Sequence, residues 1–306
     1  MTNILVTGGT GFIGTNLLHR LLESDYNISV IVHKKSNISH LKNISNKLDI
    51  HYVDLSKSKL IKNKIKKIKP DVLYHLATYG VNHNQTESDK IIETNVFGTY
   101  NLFNSILEYS EINKIVNIGS CFEYGPKLNK IKETSKTNPQ SIYGISKVSQ
   151  TNIAKYFHQQ KNLPIVTLRI FNTYGPFENL NRLIPSMILS IMNNKKIYIK
   201  NPDDVRDFIF VKDVVDGIIQ SSKIKESGEI LNIGTSKEHK VKDVVKKLSK
   251  MTKYDNIVFH EKKIHEYGGK IIANTDKSKR ILKWKPRYTM NEGLKETFDW
   301  LKNKNK

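Results

Sequence analysis

Tyr143 and Lys147 stand four residues apart in Tyr143-Gly144-Ile145-Ser146-Lys147. On a helix that spacing puts both side chains on one face, about one turn from each other. A free phenol has a pKa of about 10, too high for ready ionisation at neutral pH. An ammonium about 4 Å away favours the phenolate by about 4 kcal/mol at a surface-like dielectric, which draws the phenol's pKa down by about three. Such a pair is an acid–base catalyst. The spacing alone recurs by chance in many chains, so its weight rests on a second motif near the N-terminus.

That motif is Gly8-Gly9-Thr10-Gly11-Phe12-Ile13-Gly14. A short apolar strand, Asn3-Ile4-Leu5-Val6-Thr7, runs straight into it, and a helical pattern from Phe12 to Leu18 follows. Strand, glycine turn and helix form the setting of a dinucleotide-binding turn. Gly8 permits the tight turn, Gly11 lets the backbone approach a pyrophosphate, and Gly14 lets helix and strand pack closely. The helix N-terminus then offers N–H donors and the positive end of its dipole to phosphate. The spacing is Gly-x-x-Gly-x-x-Gly. A glycine-rich β–α turn with no ligand is the plain alternative.

Taken together, these residues resemble the short-chain dehydrogenase/reductase superfamily, in its extended branch acting on nucleotide sugars, along nearly the whole chain. Thr7–Gly14 is similar to the family's cofactor loop, with Phe12 and Ile13 inside it. Asp54-Leu55 resembles its adenine-contacting pair, and His75-Leu76-Ala77 the stretch below the cofactor ribose. Asn95 sits where the family keeps a structural asparagine, and it is counted with the cofactor residues. Ser120 ends the strand-like run Asn117-Ile118-Gly119-Ser120, where the family places a catalytic Ser or Thr. Arg169–Pro176, which contains Phe171 and Asn172, and Arg206–Val211 resemble two later signatures.

The resemblance implies a Rossmann fold, α/β with a doubly wound parallel sheet, and a smaller discontinuous C-terminal substrate domain. The apolar runs Ile4–Thr7, Ile28–His33, Ile50–Val53, Val72–Leu76, Ile115–Gly119 and Ile165–Ile170 alternate with helical patterns, which points independently to a parallel sheet. Residues 1–172 plus 207–234 are expected to form the dinucleotide-binding domain, and 173–206 plus 235–306 the substrate domain. Helices are expected at Asp213–Ser222, Val241–Met251 and Asn291–Leu301. Between Ile91 and Tyr109 apolar residues fall on more than one face, so that helix is buried twice. The second contact is either within one subunit or, as the resemblance implies, a bundle in a homodimer.

The chain has 306 residues, a net charge of +21 and one cysteine, Cys121. One cysteine excludes an internal disulfide framework. No run of 18 apolar residues is present, so no membrane span is expected. The N-terminus reads as strand and glycine loop rather than a signal peptide, and a cytoplasmic enzyme fits. The lysines are spread along the chain and are densest from Lys57 to Lys69, where they alternate with Leu60, Ile61, Ile65 and Ile68. This is the pattern of a solvated helix with a core stripe, so no nucleic-acid partner is expected, and no metal.

By the resemblance, Ser120, Tyr143 and Lys147 form the catalytic set. Tyr143 exchanges a proton with the sugar oxygen, Lys147 lowers its pKa and holds the nicotinamide ribose, and Ser120 steadies the same oxygen. Dehydratases of the branch carry Asp-Glu directly after the Ser/Thr. Here Cys121 and Phe122 stand there, so dehydration is not expected. Epimerase–reductases similar to fucose synthase place a cysteine two residues after the serine, one later than Cys121. Cys121 is therefore either part of the substrate pocket or a small packing residue.

NAD-preferring members end the second strand on a carboxylate. Here it ends His33-Lys34-Lys35, basic side chains that suit a 2′-phosphate, so NADP is favoured and NAD is the alternative. Thr78, Cys121, Phe122, Asn172, Arg182 and Arg206 are the substrate-side candidates, the arginines because a guanidinium fork suits a diphosphate. The leading expectation is NADPH-dependent reduction of a 4-keto-6-deoxy sugar nucleotide. The alternatives are a 4- or 2-epimerase that holds NAD tightly, and a non-catalytic dinucleotide-binding module.

Overall fold

The computed structural model describes residues 1–82, 84–259 and 270–304. Residues 260–269 and 305–306 of the expected substrate domain lie outside the described residues.

Seven strands form one sheet: β1 (Thr2–Thr7), β2 (Tyr26–Val32), β3 (Asp49–Tyr52), β4 (Val72–His75), β5 (Lys114–Ser120), β6 (Ile165–Ile170) and β7 (Ile230–Ile233). Their order across the sheet is β7-β6-β5-β4-β1-β2-β3, and every pairing is parallel. The six runs expected from the sequence match β1 to β6 to within two residues at each end, and a seventh apolar run, Ile230–Ile233, coincides with β7. Strands buried on both faces read as continuous apolar runs, and β5 and β6 are buried at every position.

Alternate residues serve opposite faces. Ile4, Val6, Val30 and Val32 join one apolar cluster, with Leu17, Leu18 and Leu21 of α1 (Phe12–Leu21). Leu5, Ile31, Leu73 and Ile115 join the other. It includes Ile61 and Ile65 of α2 (Ser58–Ile68), the core stripe of the lysine-rich helix, and Leu102, Phe103 and Ile106. These last three lie on α3, which begins as Ser88–Ile92, widens into a π turn at Glu93–Phe97 and continues as Gly98–Tyr109. Ala154 and Phe157 of α4 (Ile142–Lys161) complete that face.

The chain order reverses between β1 and β4, so the carboxyl ends of those strands border a crevice, the place where open α/β sheets bind ligands. After β6 the rhythm breaks into short pairs. Asn172–Tyr174 runs parallel to Phe208–Phe210, Val205–Arg206 antiparallel to His239–Lys240, and Ile197–Ile199 parallel to Ile257–Phe259. Asp207 ties them to the main sheet. Its buried carboxylate accepts from the N–H groups of Thr235 at 2.8 Å, Ser236 at 2.9 Å and Ala273 at 3.1 Å. Helices α5 (Leu183–Met192), α6 (Val211–Lys223), α7 (Val241–Thr252) and α8 (Met290–Lys304) follow. Among the described residues no helix is long and apolar enough to cross a membrane.

Candidate functional site

A cleft of about 1460 Å³ opens at the carboxyl ends of the strands. The glycine turn forms one wall. A Cβ on Gly14 would sit 2.2 Å from the Gly8 carbonyl oxygen, and one on Gly8 would sit 2.6 Å from Ala77 N. Gly8 also has φ +73°, a conformation that favours glycine. Helix α1 starts at Gly11 with no side-chain cap and no acid in its first turn. Its first N–H groups and its positive end are therefore available to an anion. This cradle fits a dinucleotide's pyrophosphate.

Gly8, Gly11, Phe12, Ile13, Gly14, His33, Lys35, Asp54, Leu55, Leu76, Ala77 and Phe171 all line the cleft. Two expected cofactor residues do not. Lys34 is absent from the lining because the turn closed by Ser36 N–H on His33 O presents Lys35 and Ser36 instead. Asn95 is fully buried in the π turn, and all its hydrogen-bonding capacity goes to protein. Its Oδ1 accepts from Thr78 Oγ1 at 3.1 Å and Tyr79 N at 2.8 Å, and its Nδ2 donates to Tyr79 O and Ser146 Oγ, both at 2.9 Å. Asn95 braces the cleft wall against α4 and does not face a ligand.

Ser120, Tyr143 and Lys147 come together on the cleft floor. The Tyr143 hydroxyl is hydrogen-bonded with Ser120 and Thr78, which favours its ionised form, but burial outweighs this and pushes the phenol above its ordinary value. That direction is opposite to the expectation from spacing. The reason lies in where Lys147 is spent. Its Nζ donates to Ile118 O and Gln150 Oε1 rather than to the phenol. Burial pulls Lys147 itself down to about 8. An ammonium has three N–H donors, so one remains for a ligand.

His75 is locked below the floor. Thr99 donates to Asn95 O at 2.7 Å, so its hydroxyl oxygen accepts from His75 Nε2 at 2.9 Å, and Nδ1 then accepts from Thr7 Oγ1 at 2.7 Å. Burial holds this imidazole neutral, at about 3.

On the substrate side Thr78, Cys121, Phe122, Asn172 and Arg182 line the cleft. Phe122 is 43% exposed there and meets the Tyr143 ring edge to face, with centroids 6.0 Å apart. Cys121 packs with Tyr124, Ile131 and Phe171, and burial pushes its thiol up to about 12. Arg206 does not line the cleft. Its guanidinium donates to Asp204 Oδ2 at 2.9 Å and Val205 O at 3.0 Å, so an ion pair beside it occupies the fork expected for a diphosphate.

The sequence reading missed Glu178. It is 9% exposed and lines the cleft, with Arg182 Nε 3.8 Å from Oε1. Oε2 of Glu178 and Nδ2 of Asn172 are buried with no hydrogen-bond partner among the described residues. Burial pushes the Glu178 carboxyl up to about 8, against the opposing pull of Arg182. Gln150 was missed as well, although its place three residues after Lys147 was a usable signal.

The chain has known relatives. The family model described as NAD dependent epimerase/dehydratase family matches residues 4–234. Human dTDP-D-glucose 4,6-dehydratase is 28% identical over 312 residues, covering 97% of this chain and 89% of the relative. A Bacillus anthracis dTDP-glucose 4,6-dehydratase solved in complex with NAD is 29% identical, with a TM-score of 0.88 over 99% of this chain and 97% of that one. A Bacillus cereus UDP-glucuronic acid 4-epimerase solved with UDP-glucuronic acid and NAD is 25% identical, with a TM-score of 0.86 over 98% of this chain and 99% of that one.

Proposed function

Because the chain belongs to the NAD dependent epimerase/dehydratase family and is an enzyme of the extended short-chain dehydrogenase/reductase type, we propose that it reduces a 4-keto-6-deoxy sugar nucleotide with NADPH. One observation separates this reading from dehydration. Eliminating water from a sugar needs an acid and a base at neighbouring carbons. Directly after Ser120 this chain has a thiol held at about 12 and a phenyl ring, and neither exchanges protons near neutral pH. What remains is proton transfer at one oxygen.

When bound, the nicotinamide supplies the hydride. Tyr143 donates a proton to the sugar's carbonyl oxygen as that oxygen becomes an alcohol, and Ser120 steadies the developing charge. The high pKa of the buried phenol suits a proton donor. Lys147 offers its remaining N–H to the ribose. Asn172 and Arg182 hold the diphosphate, and Phe122 and Thr78 flank the sugar. Residues 1–172 plus 207–234 form the dinucleotide-binding domain and 173–206 plus 235–306 the substrate domain, a division supported by β7 closing the sheet. Lys35 supports NADP. The two solved relatives carry NAD, which supports the second reading, a 4-epimerase that oxidises and re-reduces its substrate on a retained NAD. The exposed apolar residues Phe97, Tyr100 and Leu107 of α3 and Ile145 and Tyr156 of α4 support a homodimer joined through those two helices.

The test is incubation with NADPH and a panel of dTDP-, CDP- and GDP-4-keto-6-deoxy hexoses, following the absorbance of the reduced nicotinamide. Consumption of NADPH with one of them is expected, and Tyr143→Phe should remove at least about a hundredfold of it while leaving NADPH affinity within a few fold. Interconversion of C4 epimers with co-purified NAD and no NADPH consumption selects the second reading. Undiminished turnover in the Tyr143→Phe enzyme contradicts both.

A further inference from the structure

Behind Ser120 lies a fully buried polar cluster that the mechanism above does not use. Glu123 has 0% exposure and Arg169 4%. Oε1 of Glu123 accepts from Ser120 N at 2.8 Å; Oε2 accepts from Thr151 Oγ1 at 2.9 Å and from Arg169 Nε at 2.7 Å. Ser120 N–H and the Arg169 guanidinium can only donate; burial pushes the Glu123 carboxyl up, and the guanidinium in contact with it opposes that and favours the carboxylate. Arg169 is pinned in turn, its guanidinium 4.4 Å from the Tyr124 ring centroid, and Tyr124 donates to Asn232 Oδ1 at 2.9 Å. The space is closed: a Cβ on Gly119 would come within 2.6 Å of Glu123 Oε1. Ser120 is also the cap of the turn Cys121–Glu123, its Oγ accepting from Phe122 N at 3.2 Å while Glu123 reaches back to its N–H.

We propose that Glu123 is a positioning residue of this site: strapped between Ser120 and Arg169, its carboxylate fixes the backbone that aims the Ser120 hydroxyl and supplies the counter-charge that keeps Lys147 an ammonium. The inference rests on the assignment of Ser120, Tyr143 and Lys147 to hydride transfer. The groups facing Lys147 come from every element packed on it. On β4, His75 is neutral, and on the turn after β5 the Cys121 thiol is protonated. On its own helix the Tyr143 phenol is neutral. Arg169 on β6 is already bound to Glu123. Lys147 Nζ donates to Ile118 O, two residues before the Ser120 N–H that Glu123 holds, so ammonium and carboxylate are tied to the same end of β5, and among the described residues Glu123 is the one anion that opposes the burial pulling the lysine down. Neutralising Glu123 removes that support and leaves the Arg169 charge uncompensated nearby. Both changes lower the lysine further.

The charge role is tested without substrate. Protein labelled with ¹³C at lysine Cε is titrated by NMR, with Lys147→Arg identifying the resonance. An ordinary lysine titrates at about 10.4, so Lys147, which should lie near 8, stands apart. In Glu123→Gln its midpoint should fall by about one pH unit or more. With the panel sugar that turns over, the alkaline limb of kcat/KM should move down by the same amount and kcat should fall at least tenfold, with KM within about threefold. An unmoved Lys147 midpoint in folded Glu123→Gln protein overturns the proposal, as does a KM effect with kcat intact. If Glu123→Gln does not fold, Glu123→Asp decides. With its charge kept and its reach shortened, the midpoint should hold its wild-type place while kcat drops at least tenfold; wild-type kcat or a fallen midpoint is the contrary result. Tyr143→Phe runs beside them: if it turns over normally, the hydride-transfer reading has failed, whereas the titration judges Glu123 independently.

Discussion

At the scale of single residues, Tyr143 and Lys147 were legible from their spacing, but their electrostatics were not. Four residues along a helix do bring both side chains to one floor. Which acceptors Lys147 finds there, Ile118 O and Gln150, depends on strand β5 passing beneath it. Glu178 was invisible for a related reason, since its oddity lies in burial without a partner for Oε2. It makes a prediction. Its native carboxyl keeps a proton up to about 8, above the ordinary value of 4.5. Between those two pH values the native state therefore binds more protons than the unfolded chain, so stability should fall as pH rises across that window, by at most about 1.4 kcal/mol per pH unit. Glu178→Gln should flatten that slope, read from urea unfolding at a series of pH values. An equal slope in the variant would mean that Glu178 ionises normally.

At the scale of elements, the parallel sheet was readable because strands buried on both faces leave continuous apolar runs, and the glycine turn because only glycine suits such close backbone approach. The short pairs around Asp207 were not readable, since strands of two or three residues carry no period. Nor was the π turn that buries Asn95, whose structural place came from the resemblance and not from any period. Arg206 misled for the same reason: its neighbour Asp204 became a partner only once the short strands formed. The turn and α1 act as one unit, and Gly14→Ala should show it. The new Cβ would meet the Gly8 carbonyl at 2.2 Å, and backbone cannot yield as a flexible side chain can. The expected loss is about 1–3 kcal/mol of stability and at least tenfold in dinucleotide affinity, by thermal unfolding and calorimetric titration. Unaltered affinity would show that the turn does not carry the pyrophosphate.

At the scale of the whole molecule, the charge of +21 is carried largely on exposed lysines such as those of α2, while the site is built from buried neutral and paired groups. Helices α3 and α4 also expose apolar side chains on that surface. Phe97, 57% exposed, should lie at the centre of the proposed dimer contact. Phe97→Asp should therefore yield monomers in sedimentation, and a wild-type chain that sediments as a monomer would remove the proposed interface. The relatives include both dehydratases and a 4-epimerase, so overall likeness does not select the reaction, and Cys121 and Phe122 argue only against dehydration. The panel incubation decides most directly when run with NADPH deuterated at the transferred C4 position and followed by mass spectrometry of the nucleotide sugar. The sugar should gain one deuterium and keep all its oxygens. A product that has lost the mass of a water, or that carries no label after turnover, would contradict hydride delivery to a single carbonyl carbon.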